Sequence, residues 1–450
     1  MFSRAAFVLP LLAVLPMACV APAAQNAPGA QDALADPEQG WVDLFNGKDL
    51  TGWVNVNCAD DTFTPTEDGM LYCNGLPTGV MRTEKMYRNF VAEFEYKHMV
   101  TGGNAGFFVW ADALTSKGVP FSRSIEVQII DGWESDNWTS HGDVFAIHGA
   151  RMTPDRPHPA GWERCLPSER RANGTGEWNK FQITAIDGTI KLAVNGKEVA
   201  GGYDIQPRQG YLCLESEGGE VYFRNLRIKE LPAANPIDTA LVATEDVGFK
   251  SIYNGRDFEG WDFKPEHEGS WVVKDWRLDY DGKSSDLWSL AEYGDMEMIV
   301  DWRWTGPPHK AMLPVVLADG SEDKNPDGSP MRVEVDECGD SGIYLRGSSK
   351  SQVNIWCWPV GSGEVYGYRT DRRMSPEVRA GVTPTVNADA PLGEWNRFHI
   401  KMVGDRLSVA LNGQVVIENA QLPGVAERGR IALQNHGNPL QFANIYIREL

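Results

Sequence analysis

Beyond its first two dozen residues the chain has no apolar run near the roughly 20 residues that a membrane-crossing helix requires. None of its seven cysteines stands in a CxxC unit, which leaves a structural zinc site without its usual ligand spacing. There is no GxSxG elbow, no HExxH helix and no GxxxxGK[ST] loop, so serine-hydrolase, zincin and phosphate-loop chemistry have no support. Basic residues are the minority, 42 Lys and Arg against 62 Asp and Glu, for a net charge of −20. Those carboxylates are spread along the chain, and such a surface repels phosphate backbones and anionic headgroups. Nucleic acid is therefore not an expected partner. A neutral polar ligand such as a sugar suits an acidic protein with 16 Trp better. Helical periodicity is missing as well.

What is present begins with "MFSRAAFVLPLLAVLPMACVAPAAQ", a lone early Arg4, an apolar run and then small residues. It reads as an export signal over residues 1–24, cleaved after Ala23 or Ala24. Cys19 offers a second route, lipidation in the bacterial lipoprotein manner, although Pro16 stands where such sites carry Leu. The expected location is extracytoplasmic, periplasmic or secreted, with membrane attachment only through that anchor. Residues 25–40 are polar and small, a flexible leader. The other cysteines, Cys58, Cys73, Cys165, Cys213, Cys338 and Cys357, are an even set in which some pairing is expected in an oxidising compartment.

The 450 residues then say the same thing twice. "LFNGKDLTGW" at Leu44 returns as "IYNGRDFEGW" at Ile252, "GEWNKFQI" at Gly176 as "GEWNRFHI" at Gly393, and "IKLAVNGKEV" at Ile190 as "LSVALNGQVV" at Leu407. "VYFRNLRIKEL" and "LQFANIYIREL" close the two halves at Leu231 and Leu450. Ordered blocks of this kind mark a duplicated domain, residues 41–231 and 249–450 around a 232–248 linker. Within each copy the apolar period is two: Phe90, Phe94 and Tyr96 alternate with Glu93, Glu95 and Lys97. Asn195-Gly196 and Asn412-Gly413 sit between such runs as type I′ hairpin turns. The class is all-β, one antiparallel sandwich per copy. The NGxD openings are turns with Trp53 and Trp261 packed beneath them, and Trp178 and Trp395 are expected as core anchors.

Taken together, "LFNGKDLTGW", "IEVQIID", "GEWN", "VNGKEV" and "FRNLRIKEL", with their second-copy counterparts, resemble the bacterial 3-keto-disaccharide hydrolase domain family across nearly all of both halves. The resemblance implies two tandem concanavalin A-like jelly-roll β-sandwiches in an exported protein acting on glycosides oxidised to a ketone at sugar carbon 3. It further implies a separate NAD-dependent oxidoreductase that makes the ketone. Such a ketone acidifies the carbon-2 hydrogen. A general base then removes that proton, an electrophile holds the enolate oxygen, and the carbon-1 substituent leaves, with water adding afterwards. A divalent metal is one form that electrophile takes.

Strand alternation distributes the candidates. In the first copy Ala105, Phe107 and Val109 suit the core, leaving Asn104, Phe108 and Trp110 opposite; Glu126 and Gln128 share that second face, and Asp131 ends their strand. With His141 and His148 downstream, this set offers a base or a hard-metal site. The second copy substitutes Gln352, Asn354 and Trp356 for Glu126, Gln128 and Ile130, and adds Arg346, Glu364, Tyr366, Arg369 and His436. The expectation is therefore catalysis by Glu126, Asp131 and His148, with Trp110, Gln128 and the second-copy residues binding sugar. Plain alternatives stand beside it: a solvated Glu126, loop or core histidines, an Arg346 paired to a carboxylate such as Glu364, and a solvated acidic strand in "EVDE" rather than a calcium site. A glycan-binding protein without catalysis and a two-carboxylate glycoside hydrolase are the rival functions.

Overall fold

The structure is a computed structural model that describes residues 39–131, 138–242 and 246–450. The export signal, Cys19, nearly all of the leader and part of the linker lie outside the described residues. Among the described residues no helix is long and apolar enough to cross a membrane.

Each copy is a sandwich of two antiparallel sheets, and among the described residues no sheet mixes strands of the two halves. The first copy pairs a nine-stranded with a seven-stranded sheet; the second pairs an eight-stranded with a four-stranded sheet and adds a two-stranded ribbon. The alternation read from the sequence is what builds the cores. Phe90, Phe94 and Tyr96 on one sheet of the first copy meet Phe107, Val127 and Ile129 on the other. Met296, Met298, Val300 and Trp302 do the same in the second against Ile343, Val353 and Ile355. The hairpin turns are as expected, with φ of 47° and 84° at Asn195 and Gly196 and of 53° and 80° at Asn412 and Gly413.

The repeated openings are turns. Asn46 and Asn254 each accept backbone N–H groups two and three residues on. The Trp53 indole donates to Leu44 O at 2.7 Å, and that of Trp261 to Ile252 O at 2.9 Å. Trp178 and Trp395 are not core anchors. Both are half-buried on outer sheet faces, with the guanidinium of Arg224 or Arg303 over the ring. All six described cysteines are free thiols.

The copies join through dissimilar faces. Phe108, Val80, Tyr211 and Cys213, on the outer face of the seven-stranded sheet, pack with Phe249, Ile299 and Tyr446 of the second copy. Beside this patch Asp301, fully buried, accepts from Arg397 at 2.6 and 2.8 Å, from Asn444 at 2.7 Å and from the backbone of Gly118 in the first copy at 2.8 Å. Arg397 in turn donates to Thr115 O.

Candidate functional site

Both copies build the same arrangement from strands with their core-facing residues removed. Glu126 lies opposite Phe108 and Gln128 opposite Gly106; in the second copy Gln352 lies opposite Tyr344 and Asn354 opposite Gly342. The backbone N–H of Gln128 donates to Asp143 O at 3.0 Å, and that of Asn354 to Glu364 O at 2.9 Å. Each of these acids is buried and paired with an arginine, Asp143 with Arg164 and Glu364 with Arg369. The equivalent floors differ in charge. Where the first copy has Glu126, Glu215 and Glu217, the second has Gln352, Gln434 and His436; where the first has Asn104, the second has Asp340.

In the first copy a Cβ on Gly106 would stand 2.5 Å from Glu215 Oε2 and 3.1 Å from Glu126 Oε1, so two carboxyls converge over that glycine. Glu215 and Glu126 are 1% and 6% exposed, and Glu215 Oε2 has no hydrogen-bond partner. Burial, reinforced by repulsion from Glu217, pushes the carboxyl pKa values of Glu126 and Glu215 well up, and burial also raises that of Glu217. Glu217 accepts from the Asn104 amide.

The other expected members of this set stand apart. Asp131, beyond the end of Ser124–Ile130, accepts from Gly102 N at 3.1 Å and Thr175 Oγ1 at 2.7 Å, clamping two loops. His148 follows Val144–Ile147 at the opposite end of the neighbouring strand, exposed, with its ring 6.2 Å from that of Phe121. The structure does not bring Glu126, Asp131 and His148 together. His141 is buried and accepts from Ala172 N. Trp110 is a correction: a register shift in the pairing of Tyr211–Ser216 with Asn104–Ala111 and a φ of 56° turn its side chain into the core. There its ring meets Phe90 edge-on and its indole donates to Arg88 O.

In the second copy the same face opens into a cavity of about 470 Å³. Its floor is Gln352, Asn354, Gln434, Asp340 and His436, and its wall is Trp356, Trp358 and Tyr366. Trp356 and Trp358 are parallel, 4.2 Å apart, and Tyr366 meets both edge-on. A wall of this kind suits a flat sugar face. Asp340 Oδ2 is 3.9 Å from His436 Nδ1. Burial pushes the Asp340 carboxyl up to about 6, against the opposing pull of His436. Asn354 Oδ1 is buried without a partner, an acceptor waiting for a hydroxyl. Gln352 donates to Gln434 Oε1 at 2.5 Å, which fixes that amide and turns its amino group toward the Tyr344 hydroxyl and the cavity.

Gln352, Asn354, Trp356, Tyr366 and His436 thus share one cavity. Glu364 and Arg369 lie beneath it as a buried pair, Glu364 raised to about 7 by that burial and Arg369 set 5.4 Å from the Tyr366 ring centre. Arg346 is a second correction. It is buried at the far end of its strand and donates to Gly294 O, Gly404 O, Ala426 O and Asp295, not to Glu364, because a φ of 51° ends the alternation there. Sequence reasoning left out Asp340, Gln434 and Trp358. Asp340 was legible as a non-core neighbour of Tyr344, and Trp358 by its two-residue step from Trp356. The acidic strand Arg332–Glu337 pairs with His309–Pro314 and carries surface ion pairs such as Lys310–Asp336. Among the described residues no three His, Cys, Asp or Glu side chains are placed to hold a metal ion.

Comparison with known proteins gives three findings. Residues 40–229 and 248–448 each match a family model described as a 3-keto-alpha-glucoside-1,2-lyase-like domain. A 3-keto-disaccharide hydrolase of Bacteroides thetaiotaomicron is 24% identical over 243 residues, 43% of this chain and 79% of that protein. Among solved structures, a candidate glycosyl hydrolase of Parabacteroides distasonis is 24% identical with a TM-score of 0.32, covering 43% of this chain and 94% of its own. A carbohydrate-binding module from Bacillus subtilis is 11% identical with a TM-score of 0.30, covering 40% and 96%.

Proposed function

The chain belongs, in both halves, to the family of 3-keto-alpha-glucoside-1,2-lyase-like domains, and from that premise we propose that it cleaves the glycosidic bond of 3-keto-glycosides in the cavity of its second copy. The observation that carries this reading is the meeting of Asp340 and His436, 3.9 Å apart, beside an aromatic wall in an open cavity of about 470 Å³. Asp340, with a pKa near the working range, takes the carbon-2 proton. The electron pair left behind becomes the enolate of the carbon-3 ketone, whose oxygen the Asn354 and Gln434 amide N–H groups face. As the ketone re-forms, the carbon-1 oxygen leaves with the bonding pair and takes a proton from His436. Water then adds across the new carbon-1–carbon-2 double bond. The trio Trp356, Trp358 and Tyr366 holds the ring during these steps.

A second reading, catalysis on the first copy's face, is favoured by the raised carboxyls of Glu126, Glu215 and Glu217. We also place the reaction outside the cytoplasm, from the N-terminal segment, with an oxidoreductase supplying the ketone; fractionation of the producing cell tests the location.

The deciding experiment measures aglycone release from a 3-keto-glucoside and from its unoxidised parent, with and without EDTA. Release from the keto form alone, abolished by Asp340→Asn and retained in Glu126→Gln, is expected; the reverse pattern moves the chemistry to the first copy. Loss with EDTA adds a metal as electrophile. Cleavage of the parent sugar points to the two-carboxylate hydrolase, and binding without release of either to a glycan-binding protein.

A further inference from the structure

We propose that Cys338 and Cys357 are a reactive thiol pair that closes to a disulfide at the root of the second copy's cavity, fastening the strand that begins at Asp340 to the segment that carries Trp356 and Trp358.

Cys58, Cys73, Cys165 and Cys213 are buried in the first copy, whereas Cys357 is half-buried and thus the most accessible of the six. Its Sγ accepts the backbone N–H of Cys338 at 3.3 Å, so the two residues are already in contact. The cross-strand register pairs Asp340 with Trp356, which sets Gly339 opposite Cys357 and Cys338 one step beyond. The Cys338 side chain belongs to the second core and that of Cys357 packs against the same core, so both thiols stand on one side of the sheet. Gly339 makes the approach possible. Its φ is 146° and a Cβ there would stand 2.2 Å from the Asn438 side chain, so regular strand alternation is broken between the two cysteines at a position where only glycine fits. The Cys338 thiol now rests 3.6 Å from Gly306 O, a weak contact that one χ1 rotation releases. Burial raises both thiols, Cys338 to about 11, while the N–H groups of Cys338 and Gly339 favour the Cys357 thiolate in part, which makes Cys357 the first to attack.

The chemistry needs an external disulfide as oxidant. The Cys357 thiolate attacks one sulfur of that disulfide, forming a mixed disulfide and releasing the first thiolate. The Cys338 thiolate then attacks the Cys357 sulfur and expels the second. The two protein thiols lose two electrons and two protons, and the oxidant becomes two thiols.

The test treats the full chain with oxidised glutathione, alkylates the remaining thiols and maps tryptic peptides without reduction. The expected product links Val333–Arg346 to Ser351–Arg369, separates on reduction, and forms while the first copy's four cysteines stay unreacted until unfolding. Cys338→Ser should instead retain glutathione on Cys357. If this variant does not fold, the map of the unaltered chain decides by itself. Glutathione held on Cys357 in the unaltered chain, both thiols still open to alkylation, or a bridge from either to another cysteine would each overturn the proposal.

Discussion

Replacing Asp340 by Asn removes the proposed base while keeping its shape, and the first copy already carries asparagine at the equivalent Asn104. With a carboxyl pKa of about 6, roughly nine-tenths of Asp340 is ionised at pH 7 and roughly one-tenth at pH 5. A base that works only when ionised therefore gives a kcat/KM that falls about tenfold per pH unit below 6. Asp340→Asn should lower kcat/KM by about 10² to 10⁴, the usual worth of a positioned base, and erase that acidic limb. His436→Ala probes the same carboxyl from outside. The imidazole lowers the Asp340 pKa by its charge, so its removal should move the acidic limb to higher pH, besides lowering kcat by loss of the acid. The assay is initial-rate aglycone release from a 3-keto-glucoside between pH 4.5 and 9, with folding checked by near-UV circular dichroism at each pH. An Asp340→Asn protein that kept the acidic limb, or lost less than about fivefold, would refute the assignment of the base.

Three further outcomes follow from the geometry. Asp301→Ala leaves four donors, two of them on the half-buried Arg397 guanidinium, without their acceptor and should cost about 3–5 kcal/mol in urea unfolding; a loss below about 1 kcal/mol would mean that the pair does not hold the copies together. Trp358→Ala removes the outer ring of the stacked wall and should raise KM about twofold to tenfold, from a stacking worth about 0.5–1.5 kcal/mol, with kcat little changed; an unchanged KM would place the sugar elsewhere. Glu215→Gln concerns stability against pH. Because its folded-state pKa is raised, the native protein holds the proton longer than the unfolded chain, so stability is lost as pH rises above the ordinary glutamate range. The variant should match the parent near pH 4 in thermal unfolding and exceed it at pH 8; equal melting at both would deny the strain.

The sequence carried the fold well because its signals are local. A period of two in Phe90–His98, an Asn-Gly between two apolar runs and a tryptophan following an NGxD turn each dictate their own few residues, and duplication supplied every signal twice. The site was legible only where alternation persisted. Gln352, Asn354 and Trp356 were placed correctly as neighbours because their strand is regular, whereas Trp110 and Arg346 follow positive φ values that no composition announces. Trp178 and Trp395 misled for another reason, since an arginine plane covers one face of a half-buried indole much as a core would. Nor was it legible how the copies meet: Phe249, Ile299 and Tyr446 reach the first copy's face from the other half of the chain, and no local pattern encodes such a contact.

That contact is head-to-tail, the outer face of one sandwich against the back of the next, and a contact of this kind has no inherent end. Stacked onward, it would give a filament of sandwiches. The back of the first copy prevents this. Where the second copy offers Ile299 and Asp301, the matching strand positions of the first copy are Glu93 and Glu95, held by Lys180, Arg227 and Arg224 in surface ion pairs. A charged, self-satisfied surface presents nothing for another molecule's open face to grip. Exchanging Glu93 and Glu95 for the second copy's residues is the change by which this protein would begin to polymerise.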